Sequence, residues 1–156
     1  MRTIDAIAKP MVILLADDSD DDRMMTRDAL RESLVLSDLR EVEDGEQLMS
    51  YLRRQGAYRE EQNSPRPGVI LLDLNMPRKS GQEALEEIKS DPFLRRIPVV
   101  VLTTSADEQD ILRSYDLGVS SFITKPVTFA GFVEVMKGFS KYWIEIVATP
   151  TLEDDH

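Results

Sequence analysis

Carboxylates stand at the ends of two short apolar runs. Val12-Ile13-Leu14-Leu15-Ala16 gives way to Asp17-Asp18, and Val69-Ile70-Leu71-Leu72 gives way to Asp73. A third run, Val99-Val100-Val101-Leu102, stops at Thr103-Thr104, and Ser121-Phe122-Ile123 is followed closely by Lys125-Pro126. Drawn together, these ends would hold three carboxylates, a hydroxyl and an ammonium. Clustered carboxylates repel one another and cannot all stay ionised without compensation, which a divalent cation and Lys125 would supply. Oxygen ligands without His or Cys favour Mg²⁺ or Mn²⁺ over Zn²⁺. Such a site suits phosphoryl transfer, where catalysis is mainly positioning and charge neutralisation. A carboxylate can itself be the nucleophile and form an aspartyl-phosphate.

The elements that must position these residues follow from the hydrophobic pattern. Unbroken apolar runs of four or five residues suit strands buried on both faces, as in a parallel sheet. Weaker strand signals lie at Asp38 to Val42 and Ser121 to Ile123. Helical stretches alternate with them: Asp20 to Leu34, with acids at its start that complement the helix dipole, Gly45 to Arg54, Gly81 to Ser90, Asp107 to Leu117 with Gly118 as C-cap, and Phe129 to about Ile146. Strand and helix alternating five times predict an α/β doubly wound sheet with right-handed crossovers. Ligands in such sheets bind beyond the carboxyl ends of the strands, where the acids stand. The polar segment Ala57 to Gly68, with two prolines, is expected to be a surface loop.

Composition narrows the function. The 156 residues fit one domain, expected at 11–146 with an extension at 1–10 and a tail at 147–156. There is no cysteine, and the single histidine is His156, so thiol chemistry, zinc-thiolate sites and histidine catalysis are excluded. A net charge of −10 opposes binding to nucleic acid and to anionic membranes. No apolar run reaches the roughly 20 residues of a membrane span, and Met1 to Pro10 lacks a signal-peptide pattern. A cytoplasmic protein is expected.

Asp17-Asp18, Asp73-Leu74-Asn75-Met76-Pro77, Gly81, Pro98, Thr103, Gly118 and Lys125-Pro126, in this order, resemble the receiver domains of bacterial two-component response regulators. The resemblance spans roughly Met11 to Lys141, and it rests on the whole set, since each piece alone is weak. It implies a flavodoxin-like (βα)5 fold with strand order 2-1-3-4-5. It implies that Asp73 accepts a phosphoryl group from the phospho-histidine of a sensor kinase. Asp18 and Asp73 would ligate Mg²⁺ by side chain, Asn75 by its carbonyl, and Asp17 mainly through water. Lys125 would pair with the acceptor, Thr103 and Thr104 would serve the phosphoryl group, and Phe122 stands where the family carries its aromatic switch. The Lys125–Pro126 bond resembles the family's cis peptide. The long loop 57–68, Leu102-Thr103-Thr104-Ser105 and Lys141-Tyr142-Trp143 are similar to stand-alone regulators that partner phytochrome-type kinases. A sensor histidine kinase of the bacteriophytochrome type is thus the expected donor. The expected output is contact with a downstream protein that the sequence does not name. Catalysis would be limited to the chain's own phosphorylation and dephosphorylation.

Plainer readings exist for each residue. Asp17-Asp18 alone could be a solvated turn, Asp73 a helix cap, Lys125 a surface lysine, Thr103 a strand end and Phe122 a core aromatic. On the last helix, Phe132, Met136, Phe139, Trp143 and Ile146 recur at helical spacing. With Tyr142 they form either a broad core face or a homodimer interface built from Phe139, Tyr142, Trp143 and Ile146. Three other functions compete. A dehalogenase-like phosphatase would need its Asp-x-Asp pattern after strand one, and Asp17-Asp18-Ser19-Asp20 does not reproduce it with the usual following Thr. A flavin module would need a glycine- and hydroxyl-rich phosphate loop where acids stand. A degenerate receiver would lack part of the acceptor set, which is complete here.

Overall fold

The computed structural model describes residues 11–32, 37–74, 76–103, 118, 121–124 and 128–142, with backbone alone at 103, 121, 122, 124 and 139–142. Five strands, β1 (Met11–Ala16), β2 (Ser37–Val42), β3 (Val69–Asp73), β4 (Val99–Thr103) and β5 (Ser121–Thr124), form one parallel sheet in the order β2-β1-β3-β4-β5. The α/β expectation and its strand order hold. Four α-helices are described: α1 (Asp20–Glu32), α2 (Gly45–Arg53), α3 (Gly81–Ser90) and α4 (Phe129–Tyr142). The helix expected at Asp107 to Leu117 lies outside the described residues. Gly118, its expected cap, has φ +83°, the left-handed conformation that such a cap requires.

Two compact units are distinguished: Met1–Arg23 with Leu36–Lys125, and Met24–Val35 with Pro126–His156. The first holds the sheet. Leu14, Ala16, Ile70, Leu72, Val99 and Val101 share one face and are fully buried with Leu48 and Met49 of α2 and Ala84, Leu85 and Ile88 of α3. The alternate residues Ile13, Leu15, Val69, Leu71, Val100 and Leu102 are equally buried, which is why these strands read as unbroken apolar runs. Each such aliphatic side chain contributes about 1.5–3 kcal/mol. In the second unit Thr128 caps α4, its Oγ1 accepting from the Gly131 amide at 3.1 Å. Phe132 and Met136, which open the apolar stripe, are buried.

The segment expected to be a plain surface loop is more ordered than its composition suggested. Two 3₁₀ turns, Gly56–Tyr58 and Glu61–Asn63, shape it. Ser64, 1% exposed, donates to the carbonyls of Tyr58 and Glu60. The Tyr51 hydroxyl donates to Pro65 O at 2.7 Å, and the Tyr51 and Tyr58 rings pack at 5.3 Å. Buried backbone needs such partners, and here side chains far apart in sequence supply them.

Candidate functional site

Register brings the strand ends together. Ala16 pairs with Leu72, so Asp17 and Asp73 occupy the next positions of adjacent strands. Asp73 itself pairs with Leu102, which sets Thr103 one step further on. Thr103 pairs with Thr124, the residue before Lys125. Carboxylate oxygens of Asp17, Asp18 and Asp73 lie within 4.8 Å of one another. They differ in environment: Asp17 is fully buried, Asp73 half-buried and Asp18 exposed.

The β1–α1 turn is built to hold this geometry. Asp17 Oδ1 accepts the Ser19 amide at 3.0 Å. Ser19 caps α1 by accepting the Asp22 amide at 3.1 Å, which is worth about 1 kcal/mol. Asp20, Asp21 and Asp22 fill the first helical turn, where the helix dipole favours negative charge. Arg23, 8% exposed, donates to the Asp17 carbonyl at 2.6 Å, pairs with Asp20, and lies 3.4 Å from Glu41 of β2. A buried guanidinium thus ties the main chain of the acid pair to helix and sheet.

The segment after Asp73 is clamped at both ends. Gly81 opens α3 and donates its amide to Leu74 O at 2.9 Å. A Cβ at Gly81 would overlap the Asp73 carbonyl oxygen and lie 2.6 Å from Leu74 Cα. Gly45 donates to Lys79 O at 3.0 Å, and a Cβ there would lie 2.7 Å from Lys79 Cβ. Asp44, 2% exposed, caps α2 through the Gln47 amide at 2.8 Å and accepts Arg78 Nη1 at 2.7 Å. Arg78 has φ +63°. Ser80 and Glu83 form a reciprocal capping box at the start of α3. Glu87 joins Lys79 to Arg53, and the Lys79 ammonium holds its carboxyl below the usual carboxylate range.

Of the residues singled out in the sequence, Asp17, Asp18 and Asp73 meet. Thr103 and Phe122 are placed by backbone alone. Asn75, Thr104, Lys125, Pro126 and the Lys125–Pro126 bond lie outside the described residues, as do Trp143 and Ile146. The sequence reading missed Arg23, Asp44 and Arg78. A signal existed for the caps, since Ser19 precedes an acidic helix start and Ser80-Gly81-Gln82-Glu83 matches the S-x-x-E pattern. The Arg78 pairing had none, because its partner is 34 residues away.

All donors in the cluster are hard oxygens at strand ends, with no thiolate or imidazole beside them among the described residues, a set that fits a divalent cation. A five-stranded parallel sheet of order 2-1-3-4-5 with this acid cluster at its carboxyl edge defines a phosphorylation-type receiver. The chain belongs to the response regulator receiver domain family, whose model matches residues 13–137.

Among the proteins it is similar to are response regulators of phytochromes. Response regulator Rcp1 of Synechocystis sp. is 44% identical over 141 residues, covering 90% of this chain and 94% of Rcp1. Its Mn²⁺-bound crystal structure superposes with a TM-score of 0.79 over 88% of this chain and 97% of that chain. The phosphorylated cyanobacterial phytochrome response regulator RcpA is 45% identical, with a TM-score of 0.79 over 87% of this chain and 95% of that one. The bacteriophytochrome response regulator RtBRR is 40% identical, with a TM-score of 0.70 over 83% and 79% respectively. No helix among the described residues is long and apolar enough to cross a membrane.

Proposed function

We propose that the chain is the phospho-accepting regulator of a phosphorelay, with Asp73 as acceptor and a phytochrome-type sensor histidine kinase as donor. The observation that carries the reading is the convergence of the Asp17, Asp18 and Asp73 carboxylates within 4.8 Å. The phosphorylated state of RcpA and the Mn²⁺-bound state of Rcp1 support it by kinship. An oxygen of Asp73 forms a bond to phosphorus as the phosphorus–nitrogen bond of phospho-histidine breaks. The electron pair leaves on the imidazole nitrogen, which takes up a proton from solvent, and Asp73 holds the phosphoryl group as an acyl phosphate.

Asp18 and Asp73 by side chain, and Asn75 by its carbonyl, would hold Mg²⁺ or Mn²⁺, with Asp17 acting through ordered water. The burial of Asp17 and the exposure of Asp18 suit that division. When bound, the cation neutralises charge on the carboxylates and on the phosphoryl oxygens. Thr103 and Thr104 would bind the transferred group, Lys125 would pair with it, Pro126 would follow through a cis bond, and Phe122 would report occupancy as a switch. In this reading the receiver spans 11–146, the protein is cytoplasmic, and its catalysis is confined to its own phosphorylation and dephosphorylation. It signals by contact with a downstream protein and pairs with a second copy through Phe139, Tyr142, Trp143 and Ile146. A concentration-independent monomer mass in sedimentation would overturn the pairing.

The test is intact mass after incubation with Mg²⁺ and acetyl phosphate, for wild type and Asp73→Asn. One added phosphoryl group in wild type alone is expected. Labelling of Asp73→Asn would refute the assignment of the acceptor.

A further inference from the structure

At the opposite edge of the sheet lies a depression of about 320 Å³. Its lining comes from Pro67, which leads into β3, from Leu94 and Ile97, which lead into β4, and from the end of α2. β3 separates it from Asp73 by about 15 Å at ~3.3 Å per residue. The volume falls within the small-ligand range, but the site is an open trough. Its base is apolar, with Leu52, Pro67 and Ile97 beneath and Phe93, 71% exposed, standing at the side.

Charge at this trough runs against the rest of the chain. Three guanidinium groups, Arg53, Arg54 and Arg66, line it beside a single acid, Asp91, in a protein of net charge −10. Asp91 is engaged, its Oδ1 accepting the amides of Phe93 at 2.8 Å and Leu94 at 3.0 Å. Arg53 pairs with Glu87 at 3.2 Å. Arg54 and Arg66 donate only to carbonyls, Ser64 O at 3.3 Å and Phe93 O at 3.0 Å, and neither has a carboxylate partner among the described residues. Those bonds hold the two arms in place, and the one carboxylate beside them, Asp91, faces Arg53 and Arg66, so positive charge stays in excess at the trough. Arginine and aromatic side chains around an apolar floor are the composition of a recognition surface.

We propose that this trough docks an acidic, apolar-anchored peptide segment of a partner protein, with carboxylates on Arg54 and Arg66 and a leucine or aromatic side chain against Phe93 and Pro67. Arginine clusters recognise acidic motifs in this way, through charge-assisted and often bidentate hydrogen bonds. The overall negative charge does not forbid it, because screening confines interactions to about 8–10 Å at physiological salt. A narrow segment fits better than a membrane. Glu83, Glu86 and Glu87 line the adjoining groove and would be pressed against a flat anionic surface. The proposal does not rest on phosphorylation of Asp73.

The test is selection of a random peptide library on the full-length protein, followed by fluorescence anisotropy with the enriched peptides. Expected are sequences rich in Asp and Glu around a leucine or aromatic residue, bound more weakly as salt rises. The Arg54→Glu/Arg66→Glu double variant should lose about tenfold or more in affinity. Phe93→Ala, a change to an exposed ring that folding tolerates, should also weaken binding. Acetyl-phosphate labelling should be unchanged in both variants. No enrichment, enrichment without acidic bias, or equal binding by the double variant would overturn the proposal. Anionic vesicles that sediment wild type and not the double variant, without acidic peptides being enriched, would overturn it in favour of a membrane contact.

Discussion

The α-carbon of Gly81 lies so close to the carbonyl of Asp73 that no side chain fits between them. The first residue of α3 is thereby packed against the backbone of the proposed phosphoacceptor, and the Gly81 amide bonds to Leu74 O. Gly81→Ala must push the two segments apart. A loss of about 1–3 kcal/mol in urea unfolding is expected, the usual range for overpacking a tight site. Mg²⁺ affinity measured by calorimetry should fall with it, whereas Gly138→Ala, inside α4 where a Cβ meets nothing, should leave Mg²⁺ affinity unchanged and raise stability by about 0.5–1 kcal/mol.

Asp44 and Arg78 should respond unequally to mutation. Asp44 is 2% exposed and Arg78 is 65% exposed by side chain. Asp44→Ala removes both the ion pair and the cap on α2, and the cap alone is worth about 1 kcal/mol. Arg78→Ala removes the ion pair and keeps a side chain at positive φ. Arg78→Gly removes the same pair but relieves the left-handed backbone, so it should be about 1 kcal/mol more stable than Arg78→Ala. Chemical denaturation of the three variants checks the order, and a Gly variant no more stable than Ala would refute it.

Alkaline stability should depend on Tyr51. Burial pushes its hydroxyl up to about 12 from an ordinary value near 10. The folded state therefore binds the proton more tightly than the unfolded state. This stabilisation is complete below the unfolded value and is lost as pH rises through the folded one. Between pH of about 10 and 12 the protein should lose roughly 2 kcal/mol through this group. Tyr51→Phe should remove that part of the pH dependence while costing about 1 kcal/mol at neutral pH for the lost bond to Pro65.

Metal should act as a stabilising ligand at the acid cluster. At a hundredfold excess over its Kd, Mg²⁺ is expected to add about 2.7 kcal/mol to unfolding free energy. Asp18→Asn, at an exposed position, should fold normally in chelator, with a slightly higher melting temperature because one of three mutually repelling charges is gone. It should lose most of the Mg²⁺-dependent gain. Thermal melts in chelator and in Mg²⁺ decide this, and an undiminished gain in Asp18→Asn would remove Asp18 from the ligand set.

The sheet and its acids were legible in sequence because both are local signals. Strands buried on two faces must be continuously apolar, so Val12 to Ala16, Val69 to Leu72 and Val99 to Leu102 announced themselves, and the acids that ended the first two marked the carboxyl edge. The helix starts at Asp20, Gly45 and Gly81 were legible for the same reason, since capping acts within one turn. Tertiary structure alone decided which acid is buried, why positions 45 and 81 accept only glycine, and where Arg23, Arg54, Arg66 and Arg78 place their charge. Those outcomes depend on which segments meet in space, from Gly81 against Asp73 nearby to Asp44 and Arg78, which are 34 residues apart. Hydrophobic periodicity reports the face a residue presents and carries no information about which distant residue it will face.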